Sequence, residues 1–162
     1  MVECYGKLDY PAEKEISCVV DFGSNIGVSA GYFLTRNKNI KIYLFEPLPE
    51  NISRLKTNLQ GFESRYELHE VSIFIYLYYF LVRVFYENGH ADFGFEATGR
   101  YGGLKSNLPE TIQVQVRKVE EVISSILEKE DHIDILKIDV EGLEAAIVKS
   151  LSPDNLKNIN RS

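Results

Sequence analysis

A chain of 162 residues with 44% hydrophobic and 26% charged residues has the size and balance of one globular domain, which excludes wholesale disorder and fibrous repeats. Lysine and arginine number 18 against 24 acids, for a net charge of −6, and no basic cluster offers a track for a phosphate backbone, so nucleic acid is not an expected partner. Cys4 and Cys18 alone cannot build a disulfide framework or a four-ligand zinc site, and reduced thiols in a cytoplasmic protein are the expectation.

The opening MVECYGKLDYPAEKE carries acids and Pro11 where an export signal needs an apolar stretch. The longest apolar run, Ile73 to Val82, is ten residues, about half of the ~20 that a bilayer-crossing helix requires. No membrane span is predicted.

Ser17 to Phe22 (SCVVDF) reads as a strand rich in β-branched residues, and GSNIG follows at once as a turn. From Asn25 to Arg36 the residues Ile26, Ala30 and Phe33 recur at helical steps. Ile40 to Phe45 is a second strand, followed by a helix with Pro49 as its first residue, Ile52, Leu55 and Leu59 on its inner stripe, and Gly61 at its end. Tyr66 to Ser72 is a third strand. The order β-α-β-α-β demands parallel strands joined by right-handed crossovers, so the class is α/β, a Rossmann-like doubly wound, mainly parallel sheet.

The middle of the chain breaks this rhythm. Residues 71 to 95 hold nine of the nineteen aromatic residues, and an antiparallel insertion around residues 73–117 is expected. Asn-Gly within Glu87 to His90 signals a turn, Ala97 to Ser106 reads as a mobile loop, and Ile112 to Arg117 alternates as a half-exposed strand should. Lys118 to Glu130 is the clearest helix, with Val119, Val122, Ile123, Ile126 and Leu127 on one face. Ile133 to Val140 is a buried strand, Glu141 to Leu151 a helix with Leu143, Ile147 and Leu151 inward, and SPDNLKNINRS a polar tail.

In a doubly wound sheet, ligands bind beyond the carboxyl ends of the strands where strand order reverses. The places to examine are the first turn (Asp21, Gly23, Ser24, Asn25, Gly27), the end of the second strand (Glu46, Pro47) and the end of the last (Asp139, Glu141, Gly142). Gly23 and Gly27 permit close backbone approach to a ligand, or merely close a tight turn. Glu46, about twenty residues past the glycines, stands where an acid accepts ribose hydroxyls in dinucleotide-type folds, or is simply solvated. Together they point to an adenosine-containing cofactor.

Charge selects among such cofactors. Asp21 beside the turn repels phosphate, and neither G-x-G-x-x-G nor G-x-x-x-x-G-K-[ST] is present. S-adenosylmethionine carries a sulfonium and an ammonium, and a unit pair at 4 Å gains on the order of 4 kcal/mol at an effective dielectric of ~20 before desolvation is subtracted. The acidic rim therefore favours this methyl donor over NAD. His69, His90 and His132 have no ligand spacing, so no metal is assigned; Tyr76, Tyr78 and Tyr79 read as packing residues, and Glu128, Lys129, Glu130 and Asp131 as a solvated face.

Three blocks, VVDFGSNIGVSAGYF (19–33), LFEPLPENISRLKTNL (44–59) and DILKIDVEGLEAAIVKSL (134–151), resemble the FkbM-type S-adenosylmethionine-dependent methyltransferases. The resemblance implies methyl transfer to a hydroxyl of a small molecule or sugar. Asp21 to Gly27, with Ser24, Asn25 and Ile26 between, would line the methionine part, Glu46 and Pro47 the ribose, and Val71 and Ser72 the adenine. Asp139 and Glu141 would face the reacting methyl as the catalytic pair, orienting or deprotonating the hydroxyl; the alternative is that they cap the helix that follows.

Relative to the family, the aromatic block replaces a polar stretch and the later strands of the sheet are missing. The expectation is therefore a single, C-terminally truncated methyltransferase domain over residues 1–162. Its parallel strands would lie in the order 3-2-1-4, with Ile133 to Val140 near a sheet edge. A homodimer through the aromatic segment or that edge, and a degenerate adenosyl-binding or assembly protein without catalysis, are the alternatives to a lone enzyme.

Overall fold

The run Cys18–Phe22 forms β1, buried at every position, which is the pattern of a parallel strand covered on both faces. The computed structural model describes residues 16–74, 89–95, 102–104, 109–140 and 142–160. After β1 come α1 (Val28–Arg36), β2 (Lys41–Phe45), α2 (Pro49–Asn58), a 3-10 turn (Glu63–Arg65) and β3 (Tyr66–His69). β4 (Ser72–Phe74), β5 (His90–Phe95), β6 (Gly102–Leu104) and β7 (Glu110–Lys118) follow, then α3 (Val119–Leu127), β8 (Ile135–Ile138), α4 (Glu144–Ser150) and α5 (Pro153–Lys157).

The first sheet runs β3-β2-β1-β8 with every pairing parallel, the order expected from the sequence. Side chains alternate between its faces. Val20, Phe22, Tyr43, Phe45 and Leu136 meet Val122, Ile123 and Ile126 of α3 and Ile147 of α4 on one side. Val19, Ile42, Leu44 and Ile135 meet Ala30 and Phe33 of α1 and Leu55 of α2 on the other. Burying each such large apolar side chain stabilises the fold by about 1.5–3 kcal/mol, and these two layers fix the strand ends on which the site is built. Pro49 is the first residue of α2, as its position implied.

The predicted third strand, Tyr66 to Ser72, is split. β3 stops at His69, Glu70 turns outward to Lys56 at 2.9 Å, and Ser72 already pairs with Val116 of β7. The break occurs because Val71 and Ile73 belong to the main core while Phe74 enters another cluster with Ala91, Phe93, Val114, Val116 and Leu48. That cluster is the inner face of a second sheet, β4-β7-β5-β6. β5 is antiparallel to β6 and β7, but β4 is parallel to β7, so the insertion is mixed rather than wholly antiparallel. β7 shows the expected alternation, with Val114 and Val116 inward and Gln113 and Gln115 exposed.

Gly102–Leu104, predicted as loop, is strand β6, with Gly103 opposite Gly94. Residues 75–88 of the expected antiparallel insertion, including Tyr76, Tyr78 and Tyr79, and the remainder of the predicted loop lie outside the described residues, as does the N-terminal segment with Cys4. Among the described residues no helix is long and apolar enough to cross a membrane.

The C-terminal segment is not a tail. Ser152 caps α5 by accepting from the Asn155 N–H, with Pro153 at the first helical position, a start signal hidden in a polar stretch. Ile159 then bridges in parallel to Ile133, where Ile133 donates to the Asn158 carbonyl (2.8 Å) and accepts from Asn160 (2.9 Å). β8 is the end strand of its sheet, as expected, and the chain's own C-terminal segment pairs beside its N-terminal approach. Glu130, read as solvated, is half-buried and accepts from the Tyr43 hydroxyl at 2.8 Å.

Candidate functional site

β1 ends in a turn that only unusual backbone angles can make: Gly23 and Gly27 both have φ of +80° and Asn25 +49°, the left-handed region open to glycine and tolerated by asparagine. The Gly23 and Ser24 N–H groups donate to the Phe45 carbonyl at 3.0 and 3.1 Å. The Ser24 hydroxyl donates to the Asp21 carbonyl at 2.8 Å and accepts from the Phe45 N–H at 3.0 Å. The turn is thereby latched to the end of β2. Gly27 is the N-cap of α1 with no capping side chain, and Ile26, just before it, is half-buried with its carbonyl accepting from Asn58 at 2.8 Å.

Glu46 follows β2 directly and is buried at 4% exposure. Its Oε2 accepts from the Asn25 N–H at 2.9 Å, and its Oε1 from the Leu48 N–H at 3.0 Å and Asn51 Nδ2 at 3.2 Å. Burial pushes its carboxyl above the usual range, and the hydrogen bonds from Leu48, Asn51 and Asn25 only partly offset this. The solvated alternative for Glu46 is thus excluded. Pro47 beside it is half-buried, while Leu48 is carried into the core of the second sheet.

Asp21 is fully buried and lies opposite Lys137 in the β1–β8 register, so both side chains emerge on the same face. Lys137 Nζ donates to Asp21 Oδ1 at 2.9 Å, and the Ser29 hydroxyl in the first turn of α1 donates to Asp21 Oδ2 at 2.6 Å. The same ammonium reaches the Gly23 carbonyl and Asp139 Oδ2, each at 3.3 Å. Asp21 is therefore an ion-paired strut under the turn rather than a bare negative wall, its charge balanced by Lys137.

Asp139 stands at the carboxyl end of β8 with its side chain 66% exposed, its N–H donating to the Phe22 carbonyl at 2.9 Å. The helix-capping alternative fails for it: α4 begins at Glu144, its N-cap is Leu143 and no side chain caps it. Glu141 lies outside the described residues. Val71 and Ser72 are buried at 6% each, just past the end of β3, where the Glu46 N–H donates to the His69 carbonyl at 3.2 Å and the His69 ring stacks on Phe45 at 4.5 Å.

The structure thus draws Asp21, Gly23, Ser24, Asn25, Gly27, Glu46 and Asp139 to the carboxyl end of the parallel sheet. It adds Ser29, Asn51 and Lys137, which the sequence reading passed over. A lone lysine between Leu136 and Ile138 in an otherwise apolar strand was the available signal for Lys137. Among the described residues, no group of three or more His, Cys, Asp or Glu side chains is arranged to hold a metal ion.

Parallel strands ordered with β1 inside, and a latched glycine turn at the reversal of strand order, define the Rossmann-like methyltransferase fold. The chain belongs to the FkbM methyltransferase family: the family model described as Methyltransferase FkbM domain matches residues 21–161. Among solved structures it is similar in fold to the methyltransferase FkbM from Methylobacillus flagellatus KT, with a TM-score of 0.53 and 18% identity, covering 90% of this chain and 32% of that one. It spans about a third of that protein's length. No curated protein matches it.

Proposed function

We propose that the chain binds S-adenosylmethionine and transfers its methyl group to a hydroxyl oxygen of a small molecule or sugar. The observation that carries this reading is the Glu46 carboxylate. An ionised carboxylate offers about four lone-pair positions, and Glu46 directs three of them to Asn25, Leu48 and Asn51, which leaves acceptor capacity on Oε2 for a ribose hydroxyl. The missing β-carbons of Gly23 and Gly27 make room for the Asp139 carbonyl and for Leu55 and Leu59, so the glycines shape the left-handed turn on which the ligand would lie.

The cofactor would supply an electrophilic methyl and leave as a neutral sulfide that needs no acid. The turn from Asp21 to Gly27 would receive its methionine part, with Asp21 holding the backbone in shape through Lys137 and Ser29. Glu46, with Pro47 beside it, would fix the ribose, and the buried Val71 and Ser72 would flank the adenine. Asp139 is exposed where an acceptor would arrive, and it or Glu141 would orient the hydroxyl or take its proton.

Calorimetry with S-adenosylhomocysteine tests the reading. Binding by the wild type, weakened about ten-fold or more in Glu46→Ala and in Asp21→Asn, is the expected result. Unchanged affinity in both variants removes these residues from the site. Binding with no methyl transfer to any sugar or small-molecule hydroxyl would make the chain an adenosyl-binding module without catalysis.

A further inference from the structure

We infer that Lys137 is a positioning residue that sets the donor turn and the acceptor-side carboxylate with one cation; this rests on the adenosyl-cofactor reading above. A lysine ammonium has three N–H donors and no acceptor. Lys137 gives them to Asp21 Oδ1 (2.9 Å), the Gly23 carbonyl (3.3 Å) and Asp139 Oδ2 (3.3 Å). Those acceptors belong to the buried strand β1, the turn that follows it and the exposed end of β8. Side-chain exposure rises from 0% at Asp21 through 7% at Lys137 to 66% at Asp139, so the ammonium links the interior to the site's open rim.

The linkage continues inward. Ser29 donates to the other oxygen of Asp21 at 2.6 Å, so the first turn of α1 is joined through Asp21 and Lys137 to Asp139. A buried ion pair adds little net stability over an apolar pair of similar volume. What this one supplies is direction. It anchors on Lys137 the Gly23 carbonyl and one oxygen of Asp139, a carboxylate whose side chain is 66% exposed. It also balances Asp21, whose charge, left alone, would oppose ionisation of Glu46. The structure therefore assigns Lys137 to geometry, because one ammonium spans the interior strand, the turn after it and the exposed end of β8.

The first test leaves the chain unaltered. Saturation with S-adenosylhomocysteine is expected to shift the side-chain nitrogen resonance of Lys137 in the wild-type protein, since the turn whose carbonyl it holds is the one the ligand contacts. The second test removes the pair in balance: Asp21→Asn with Lys137→Met together, beside Lys137→Met alone. The expected result is a double variant that recovers the melting temperature lost in the single one yet binds about ten-fold more weakly than wild type, the scale of one charge-assisted hydrogen bond. An unmoved resonance at saturation, or a double variant that binds like wild type, overturns the assignment while the cofactor reading stands. A wild-type chain that gives no heat with S-adenosylhomocysteine overturns both.

Discussion

A β-carbon built on Gly23 would lie 2.1 Å from the carbonyl oxygen of Asp139. The end of β1 and the end of β8 thus touch main chain to main chain, in a space that admits no side chain. This contact closes the floor of the site, and it makes the glycine a requirement of sheet closure as well as of turn geometry.

Gly23→Ala is accordingly expected to cost more than its backbone angle alone explains. A non-glycine residue in the left-handed region costs roughly 1–2 kcal/mol. Gly61 supplies the control, with φ +92° and nothing within 4 Å of a built β-carbon. Chemical denaturation should show Gly61→Ala losing about 1 kcal/mol and Gly23→Ala losing at least about 3 kcal/mol or failing to fold. Equal losses in the two variants would mean that the Asp139 carbonyl moves aside freely.

Glu46 carries a pH dependence with a definite sign. Burial raises its carboxyl above the ordinary range, and the proposed ribose contact needs the ionised form. Affinity for S-adenosylhomocysteine is expected to fall as pH drops through that raised value, at a higher pH than an exposed carboxylate would dictate. In Glu46→Gln the affinity should be weaker, by about ten-fold, and flat across the same range. A wild-type profile as flat as that of the variant would disconnect Glu46 from the ligand.

The lesson about legibility lies in which contacts are local. SCVVDF followed by GSNIG states a strand and a turn within eleven residues, and both faces of the parallel sheet follow from continuous apolar runs, so this half of the site could be read directly. Glu46 was legible by its spacing from the turn. Lys137 was not, because its meaning depends on the register between β1 and β8, strands separated by more than a hundred residues. Val71 and Ser72 read as one strand with Tyr66, since nothing in YELHEVS signals a change of sheet. The Ser152-Pro153 start was hidden by polarity, for α5 has no buried residue to mark a periodic face.

Asp134 predicts the acid limb of stability. Its Oδ2 accepts from the Ser17 and Cys18 N–H groups at 2.7 and 3.0 Å and from the Ser17 hydroxyl at 3.0 Å, tying the start of β1 to the approach to β8. Burial pushes the carboxyl up, but these bonds and the neighbouring His132 outweigh it and hold the carboxyl below its ordinary value. A depressed carboxylate contributes stability that is present above the unfolded value, about 3.9, and is lost as pH falls through the folded one. Asp134→Asn should cost about 2 kcal/mol at neutral pH, with a shallower decline in acid. If the two proteins keep the same stability difference down to the lowest pH at which both fold, Asp134 is not the group responsible.

Cys18 governs the opposite limb. It is buried at 1% exposure, and burial first, then the charges of Glu130 and Asp134, push its thiol up to about 12. A raised thiol contributes stability that is intact below the unfolded value, about 8.5, and is lost as pH rises toward about 12. At pH 8 the folded thiolate fraction is on the order of one in ten thousand, so a thiol reagent should reach Cys18 only through opening of the sheet. In a Cys4→Ser background, modification is expected to slow in parallel with any variant that strengthens the fold, and to approach the unfolded rate in denaturant. Rapid labelling of the native protein at pH 8 would show that β1 is open to solvent at Cys18, contrary to its burial in the apolar core.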